Sequence, residues 1–179
     1  MQPWRRKKGL MRSNAKFSTR FDPLEREVIG NLTATVSEAL IGRAQSAPKD
    51  ELAEMVGLTS GHSEAPADPK LRRLLPDFQR EGDEEFDGDA GLLRSLHEND
   101  IIKAKLMNLQ VVNEALGPTG GVDVTIEEDD AHCFLAAIND MRLYVSEDDE
   151  GGEAAQQDRE QLIEWLAFCQ ESLLEAMMG

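Results

Sequence analysis

The sequence of 179 residues has few cysteines, few aromatic residues and no long apolar run, and each of these shortages excludes a class of protein. Its two cysteines are too few for a scaffold held by disulfides. Aromatic residues make up only 5% of the chain, so the core must consist of aliphatic side chains and methionine. No apolar run approaches the roughly 18 residues of a membrane span, and the basic start lacks the apolar stretch of a signal peptide. We therefore expect a soluble, cytoplasmic protein that makes no membrane contact.

Positive charge is scarce beyond the first 20 residues. The chain has 19 Lys and Arg against 35 Asp and Glu, a formal net charge of −16, and an isoelectric point near 4.5. Because an acidic surface repels phosphate, the protein as a whole is not expected to bind nucleic acid tightly. Residues 1–20 contain no acidic residue and seven basic ones: Arg5, Arg6, Lys7, Lys8, Arg12, Lys16 and Arg20.

The basic segment is predicted to form a short, irregular β-hairpin, because apolar residues are interleaved with its cations. Two roles are open for those cations. They would bind phosphate or an acidic partner, or they would rest on the protein's own acidic body through long-range attraction. The second role is favoured, since the rest of the chain has 12 basic and 35 acidic residues, a net charge of −23. We expect residues 1–20 to be a basic arm or hairpin and residues 21–179 a single acidic helical domain.

Beyond the arm the sequence has helical periodicity. Asp22-Pro23-Leu24-Glu25 begins a helix to about Gln45, because Asp22 caps it and Glu25 completes a capping box. The apolar stripe of this helix is Leu24, Val28, Leu32, Val36 and Leu40, widened by Ile29 and Ile41. Further helices are predicted at 50–56, 68–75, from after Leu96 to Leu116, at 126–145 and at 158–178.

The segments between the helices are short or acidic. A short strand at Val122–Val124 precedes a second capping box, Thr125 to Glu128, which begins the helix at 126. Mobile loops are predicted near 80–91 and 146–157, where the chain is polar and contains glycine. The expected fold is mainly α, an irregular helical bundle of four longer and two or three short helices with a small N-terminal β-hairpin.

No motif indicates catalysis, a metal or a cofactor. The GPTGG turn at 117–121 lacks the Lys and Ser/Thr of a phosphate-binding loop, and His62-Ser63 has no evident partner. The acidic loop that starts at Asp83 resembles a calcium-binding loop only as far as Gly88, since Arg94 stands where a bidentate glutamate is required. The carboxylates of residues 127–130 complement a helix dipole. We therefore expect a non-enzymatic protein without metal or cofactor.

The two cysteines lie on the last two predicted helices. If these helices form an antiparallel pair, Cys133 and Cys169 both lie about 17 Å from the turn and therefore at the same height. One interpretation is two buried, unpaired core thiols. The other is a reversible disulfide, which requires Cα atoms within about 7 Å and would be regulatory in a cytosolic protein.

Five separated segments resemble one actinobacterial family, catalogued as domain of unknown function twenty-seventeen. They are DELAEMVGL (50–58), DPKLRRLLPDF (68–78), RSLHENDIIKAKLMN (94–108), AINDMRLYV (137–145) and EWLAFCQESLLEAM (164–177). Their order and spacing also match, so the resemblance covers nearly the whole chain. It implies an all-helical, non-enzymatic protein of a kind described as oxidative-stress regulators of transcription that sense oxidants through cysteine.

The expected function is a redox-responsive transcriptional regulator with a Cys133–Cys169 switch. In one route to transcription the arm touches DNA phosphate weakly, with a steep salt dependence, assisted by Lys70, Arg72, Arg73 and Arg80. In the favoured route the acidic body binds a basic protein, such as a sigma factor or an RNA polymerase subunit. The alternative is an acidic adaptor or protein-interaction module with no redox function. Both a monomer and a homodimer stay open.

Overall fold

A computed structural model of the chain describes residues 1–7, 15–49, 51, 55–57, 60–79, 90–149 and 151–179. The predicted hairpin turn, Lys8, Arg12 and Arg80 lie outside the described residues, as do most of the predicted helix at 50–56 and of the predicted loop at 80–91. In chain order the described elements are β1 (Arg5–Lys7), β2 (Lys16–Arg20), α1 (Pro23–Gln45), α2 (Pro69–Leu74), α3 (Ala90–Leu116), β3 (Asp123–Glu127), α4 (Glu128–Ser146) and α5 (Glu153–Met178).

A small antiparallel sheet holds the N-terminal segment to the helices. β2 is its central strand and pairs with β1 on one side and β3 on the other. Alternate residues of β2 and β3 face the helices, so Phe17 and its partner Ile126 are buried, whereas Lys16 and its partner Glu127 are not. The two predicted hairpin strands are confirmed, and the strand predicted at Val122–Val124 runs to Glu127 instead.

The predicted capping box at Thr125 to Glu128 is wrong. Thr125 and Ile126 lie in β3, and α4 begins at Glu128 with Glu127 as its N-cap and without a hydrogen bond from the capping side chain. Pairing with β2 satisfies backbone groups of these residues that a helix would otherwise use. Thr125 and Ile126 therefore form a strand because they pair with β2, although their sequence resembles the start of a helix.

The other capping box is confirmed. The Asp22 carboxylate accepts the Glu25 amide at 2.8 Å, the Glu25 carboxylate accepts the Asp22 amide at 2.8 Å, and Pro23 occupies the first turn. The buried side of α1 differs from the predicted stripe, since Leu24 is 69% exposed and Ile41 is also exposed. Its buried residues are Ile29, Thr33, Val36 and Leu40.

Two helices are longer than predicted. α3 begins at Ala90, so Leu92 and Leu96 lie on it, and both are exposed. α5 begins at Glu153 rather than at residue 158, which shortens the linker predicted at 146–157. The residues by which α5 is longer are exposed, and the Glu, Ala and Gln among them favour a helix without help from packing.

The core lies around α4, which packs against the four other described helices. Thr33 of α1 contacts Met141, Lys105 of α3 binds Asp140 at 2.7 Å, and Gln170 of α5 donates to the Leu135 carbonyl at 3.4 Å. This arrangement confirms the mainly α fold class. Among the described helices, none has both the length and the apolar composition needed to cross a membrane.

Charged residues are buried where α3 passes α1 and the end of α2. Glu98 is 1% exposed and accepts hydrogen bonds from Arg43 Nε and Arg94 Nη1, each at 2.6 Å. Arg94 also binds Asp77 at 2.8 Å and the Leu75 carbonyl at 3.1 Å. We call Arg43, Glu98, Arg94 and Asp77 the buried ion network.

Candidate redox and interaction sites

The cations of the hairpin contact the protein's own carboxylates. Their nitrogen–oxygen distances are 3.4 Å for Arg6–Glu128, 2.6 Å for Lys16–Glu127 and 3.7 Å for Arg20–Asp123. These contacts agree with the favoured interpretation that the basic segment rests on the acidic body. Each is a surface ion pair worth at most about 1 kcal/mol, so the hairpin is not tied down by charge alone.

Arg5 and Lys7 differ from the other cations of the hairpin. Both lie on the exposed strand β1, and neither forms an ion pair with any residue that the structure describes. Lys7 is directly opposite Lys16, and two like charges in that position repel. The uncompensated positive charge of the sheet is therefore concentrated at these two residues.

The cations of α2, which were predicted to assist the arm in binding DNA, face the end of α4. Lys70 binds Asp148 at 3.1 Å, and Arg73 Nε lies 3.7 Å from Glu147. Arg72 donates to the Pro66 carbonyl at 3.2 Å. The cations of α2 are thus matched by acidic residues and a carbonyl of the same chain, which leaves little free positive charge for DNA phosphate.

The two cysteines are free thiols on neighbouring helices. Cys169 is 2% exposed, and Cys133 is half-buried. The hydrogen bond from Gln170 to the Leu135 carbonyl places the two thiols within about one helical turn of each other along the helix axes.

The side of α4 on which Cys133 lies follows from the contacts of its neighbours on the helix. Leu135 presents its carbonyl to α5, and Cys133 lies about 200° around α4 from Leu135. Asp140 is two turns beyond Cys133 on the same side of α4, and it binds Lys105 of α3. Cys133 therefore lies toward the α3 side of its helix.

Cys169 lies beside the start of the chain. Its Sγ donates to Met1 Sδ at 3.2 Å, and the Met1 ammonium group pairs with Glu25. Burial, with a smaller contribution from the Glu25 carboxylate, raises the pKa of the Cys169 thiol to about 12, although the ammonium group acts in the opposite direction. At neutral pH almost none of Cys169 is thiolate, which is the nucleophilic form.

The remaining sequence candidates do not assemble into a reactive site. His62 Nε2 lies 3.0 Å from Ser46 Oγ and 3.0 Å from the Arg43 carbonyl, so it binds the end of α1. Most of the loop that starts at Asp83 lies outside the described residues, and Arg94 belongs to the buried ion network. Among the described residues, no group of three or more His, Cys, Asp or Glu side chains is placed to hold a metal ion.

Comparison with known proteins finds similarity over nearly the whole chain. The profile of a family described as Domain of unknown function (DUF2017) matches residues 1–177. Two curated proteins, from Mycobacterium bovis and Mycobacterium tuberculosis, are each 33% identical over 186 aligned residues, covering 94% of this chain and 85% of the relative. Both relatives are named oxidative stress regulator AosR. No solved structure matches the chain.

Proposed function

Because the chain belongs to the DUF2017 family, we propose that it is a regulator of the response to oxidative stress, as its mycobacterial relatives are named. The similarity to those relatives covers 94% of this chain, and this single observation carries the proposal. The protein acts on transcription without catalysing a reaction. In support, none of the sequence candidates for a nucleophile, a base or a metal site forms such a site among the described residues.

The regulator acts through a protein partner rather than by holding DNA itself. Four of the predicted DNA contacts, Arg6, Lys16, Arg20 and Arg73, already lie beside carboxylates of the same chain. Binding of phosphate at those residues would have to compete with these ion pairs and with a net charge of −16. The same negative charge attracts a basic protein surface and speeds its association. A sigma factor or an RNA polymerase subunit with such a surface is the partner that we propose.

The partner is tested by fluorescence anisotropy at physiological salt with two probes, labelled promoter DNA and RNA polymerase holoenzyme. We expect saturable binding of the labelled regulator to holoenzyme and no tight binding to DNA alone. An Arg5→Ala/Lys7→Ala variant removes the two uncompensated cations, and a Lys103→Ala variant serves as the exposed control. Tight DNA binding that is lost in the first variant and retained in the second would overturn the proposal of a protein partner.

The redox part of the function is proposed as a Cys133–Cys169 switch in which the half-buried Cys133 reacts first. The similar heights of the two thiols along α4 and α5 support it. Mass spectrometry of the peroxide-treated, unreduced chain tests this proposal. We expect a cross-linked peptide pair containing both cysteines, and two free thiols after complete oxidant treatment would contradict it.

A second candidate function is an acidic adaptor with no thiol switch. The burial of Cys169 and the rise of its pKa to about 12 favour this candidate, since both protect the thiol from oxidants. A Cys133→Ser/Cys169→Ser variant separates the two functions. An unchanged effect of peroxide on holoenzyme binding would favour the adaptor, and loss of that effect would favour the switch.

A further inference from the structure

A surface groove of about 360 Å³ runs between α1 and α3, which pack against each other. The two helices are antiparallel, since Arg43 binds Glu98 at one end of the pair and Arg26 donates to the Leu116 carbonyl at the other. The walls of the groove include Gly30, Ala34 and Ile41 of α1 and Leu106, Gln110 and Asn113 of α3. The groove therefore follows about three turns of α1, a length of about 17 Å.

The floor of this groove is apolar. Thr33 and Leu109 line it, and both are buried. The Thr33 hydroxyl donates to the Ile29 carbonyl at 2.7 Å within α1, so it needs no partner from the groove. Ile41 at one end is 41% exposed, and Leu106 is partly buried. A ligand that covers these two side chains gains free energy, because it removes their apolar surface from water.

Gly30 adds depth to the groove at a position where the packing of α1 on α3 does not require glycine. A Cβ atom at Gly30 would lie 3.8 Å from Leu116 Cδ1, which is an ordinary contact. Glycine inside a helix lowers the stability of that helix, because it loses more backbone freedom on folding than other residues do. Gly30 and the exposed Ala34 together place little side chain on the α1 wall, so a docked chain can come close to α1.

The exposed charge on the two groove helices is mostly negative. Four exposed carboxylates belong to Glu27, Glu38, Asp100 and Glu114, and the one fully exposed cation of α1 and α3 is Lys103. Glu38 also lines the groove. The other cations of these helices each bind a carboxylate or a carbonyl of the same chain. A ligand with cations beside its apolar surface is therefore complementary to this part of the molecule.

We propose that the groove between α1 and α3 is the place where the protein partner docks an amphipathic helix with an apolar face and basic flanks. A third helix packs on two others at an interaxial distance of about 8–10 Å, and helices are commonly recognised through one apolar face. Apolar side chains one turn apart contact the floor, and the flanking cations reach Glu38 and the other exposed carboxylates. The identity of the partner rests on the regulator function proposed above, whereas the groove belongs to this chain alone.

Ala34→Arg tests the proposal by placing a long side chain in the groove. Ala34 is exposed, so the change leaves the core intact, and urea unfolding checks this. Ala104→Arg is the matched control, because it makes the same substitution at an exposed position on the other side of α3. In fluorescence anisotropy with RNA polymerase holoenzyme, we expect Ala34→Arg to weaken binding by about tenfold or more and Ala104→Arg to leave it unchanged.

A second pair of variants tests the role of charge. Glu27→Gln/Glu38→Gln removes two carboxylates beside the groove, so it should lower the affinity and make binding less sensitive to salt. Glu160→Gln/Glu164→Gln makes the same change in net charge at exposed positions of α5 and should have a smaller effect. Equal losses in the two double variants would show that only the total charge matters, which would overturn the proposal.

A synthetic peptide separates the groove from the identity of the partner. It has about 18 residues, with leucine on one helical face and lysine on the others. We expect the wild type and Ala104→Arg to bind this peptide and Ala34→Arg to bind it about tenfold more weakly.

The two probes give distinguishable results. If holoenzyme binds the wild type and Ala34→Arg equally, the groove proposal is wrong and the regulator function stands. If holoenzyme does not bind the wild type, the proposed partner is wrong, and the peptide decides the groove: equal or absent peptide binding would overturn it. A dimer in sedimentation velocity that only Ala34→Arg dissociates would assign the groove to a second copy of this chain and would also contradict the proposal.

Discussion

Substitution of Glu98 by glutamine is the sharpest test of how the buried ion network supports the fold. The carboxylate of Glu98 lies between two guanidinium groups and is 1% exposed. In a Glu98→Gln variant the side-chain oxygen can accept from one arginine, while its NH2 group faces the donors of the other. One buried cation therefore loses its counter-charge and meets a second donor in its place.

The size of the effect follows from what each arginine retains. Loss of one partner from a buried ion pair costs about 3–5 kcal/mol. Arg94 keeps Asp77 at 2.8 Å and the Leu75 carbonyl at 3.1 Å, and Arg43 keeps the Glu64 carbonyl at 2.5 Å. These remaining bonds place the expected cost at the lower end, about 3 kcal/mol. That is a large share of the roughly 5–15 kcal/mol by which a domain is stable.

The assay is urea unfolding followed by far-ultraviolet circular dichroism. We expect a lower midpoint with an unchanged slope, since the same surface is exposed on unfolding. Glu114→Gln is the matched control, because Glu114 lies on the same helix, is exposed, and its side chain accepts a hydrogen bond from the neutral Gln110 rather than from a cation. A cost for Glu98→Gln below about 1 kcal/mol, or no larger than that of the control, would refute the reasoning.

Three further predictions test other parts of the structure. Burial raises the pKa of Asp140 above its usual 3.8, and the nearby Lys105 only partly offsets this rise. The Asp140 carboxyl therefore binds its proton more tightly in the folded state than in the unfolded state. Relative to an Asp140→Asn variant, the wild type should therefore lose stability as the pH rises from 4 to 7, and a constant difference between their urea midpoints would contradict this. Asp22→Ala removes the cap of α1 and should cost about 1 kcal/mol in thermal unfolding, whereas Asp22→Asn should cost less because an amide oxygen still accepts the Glu25 amide. With iodoacetamide at pH 8, Cys133 should be alkylated well before Cys169, and equal rates by mass spectrometry would show that Cys169 is not protected in solution.

The sequence predicted the starts of those helices that are capped by residues close to them in the chain. Asp22, Pro23 and Glu25 begin α1, and Asp68 and Pro69 begin α2, where the Asp68 carboxylate accepts the Lys70 amide at 2.9 Å. Capping bonds span only a few residues, so a single sequence contains all that they need. The basic and acidic segments are also visible in the sequence, and their mutual attraction predicted the contacts between the hairpin and its own carboxylates.

Other features depend on groups far apart in the chain. Thr125 and Ile126 match a helix start, yet they form a strand because β2, about 110 residues earlier, offers its backbone. The charges of Arg94 and Glu98 resemble a solvated helix surface, and they are buried because Arg43 and Asp77 meet them from other segments. Nothing near these residues in sequence signals that outcome.

The sequence by itself therefore determined the mainly α class, the caps of α1 and α2, the uneven charge and the family. Each of these depends on composition or on residues within one or two helical turns. Only the tertiary structure decided the extension of the third strand to Glu127, the buried ion network and the contact between Met1 and Cys169. Those features arise because packing brings together groups from separate segments of the chain, and a buried charge or sulfur takes its chemistry from such neighbours.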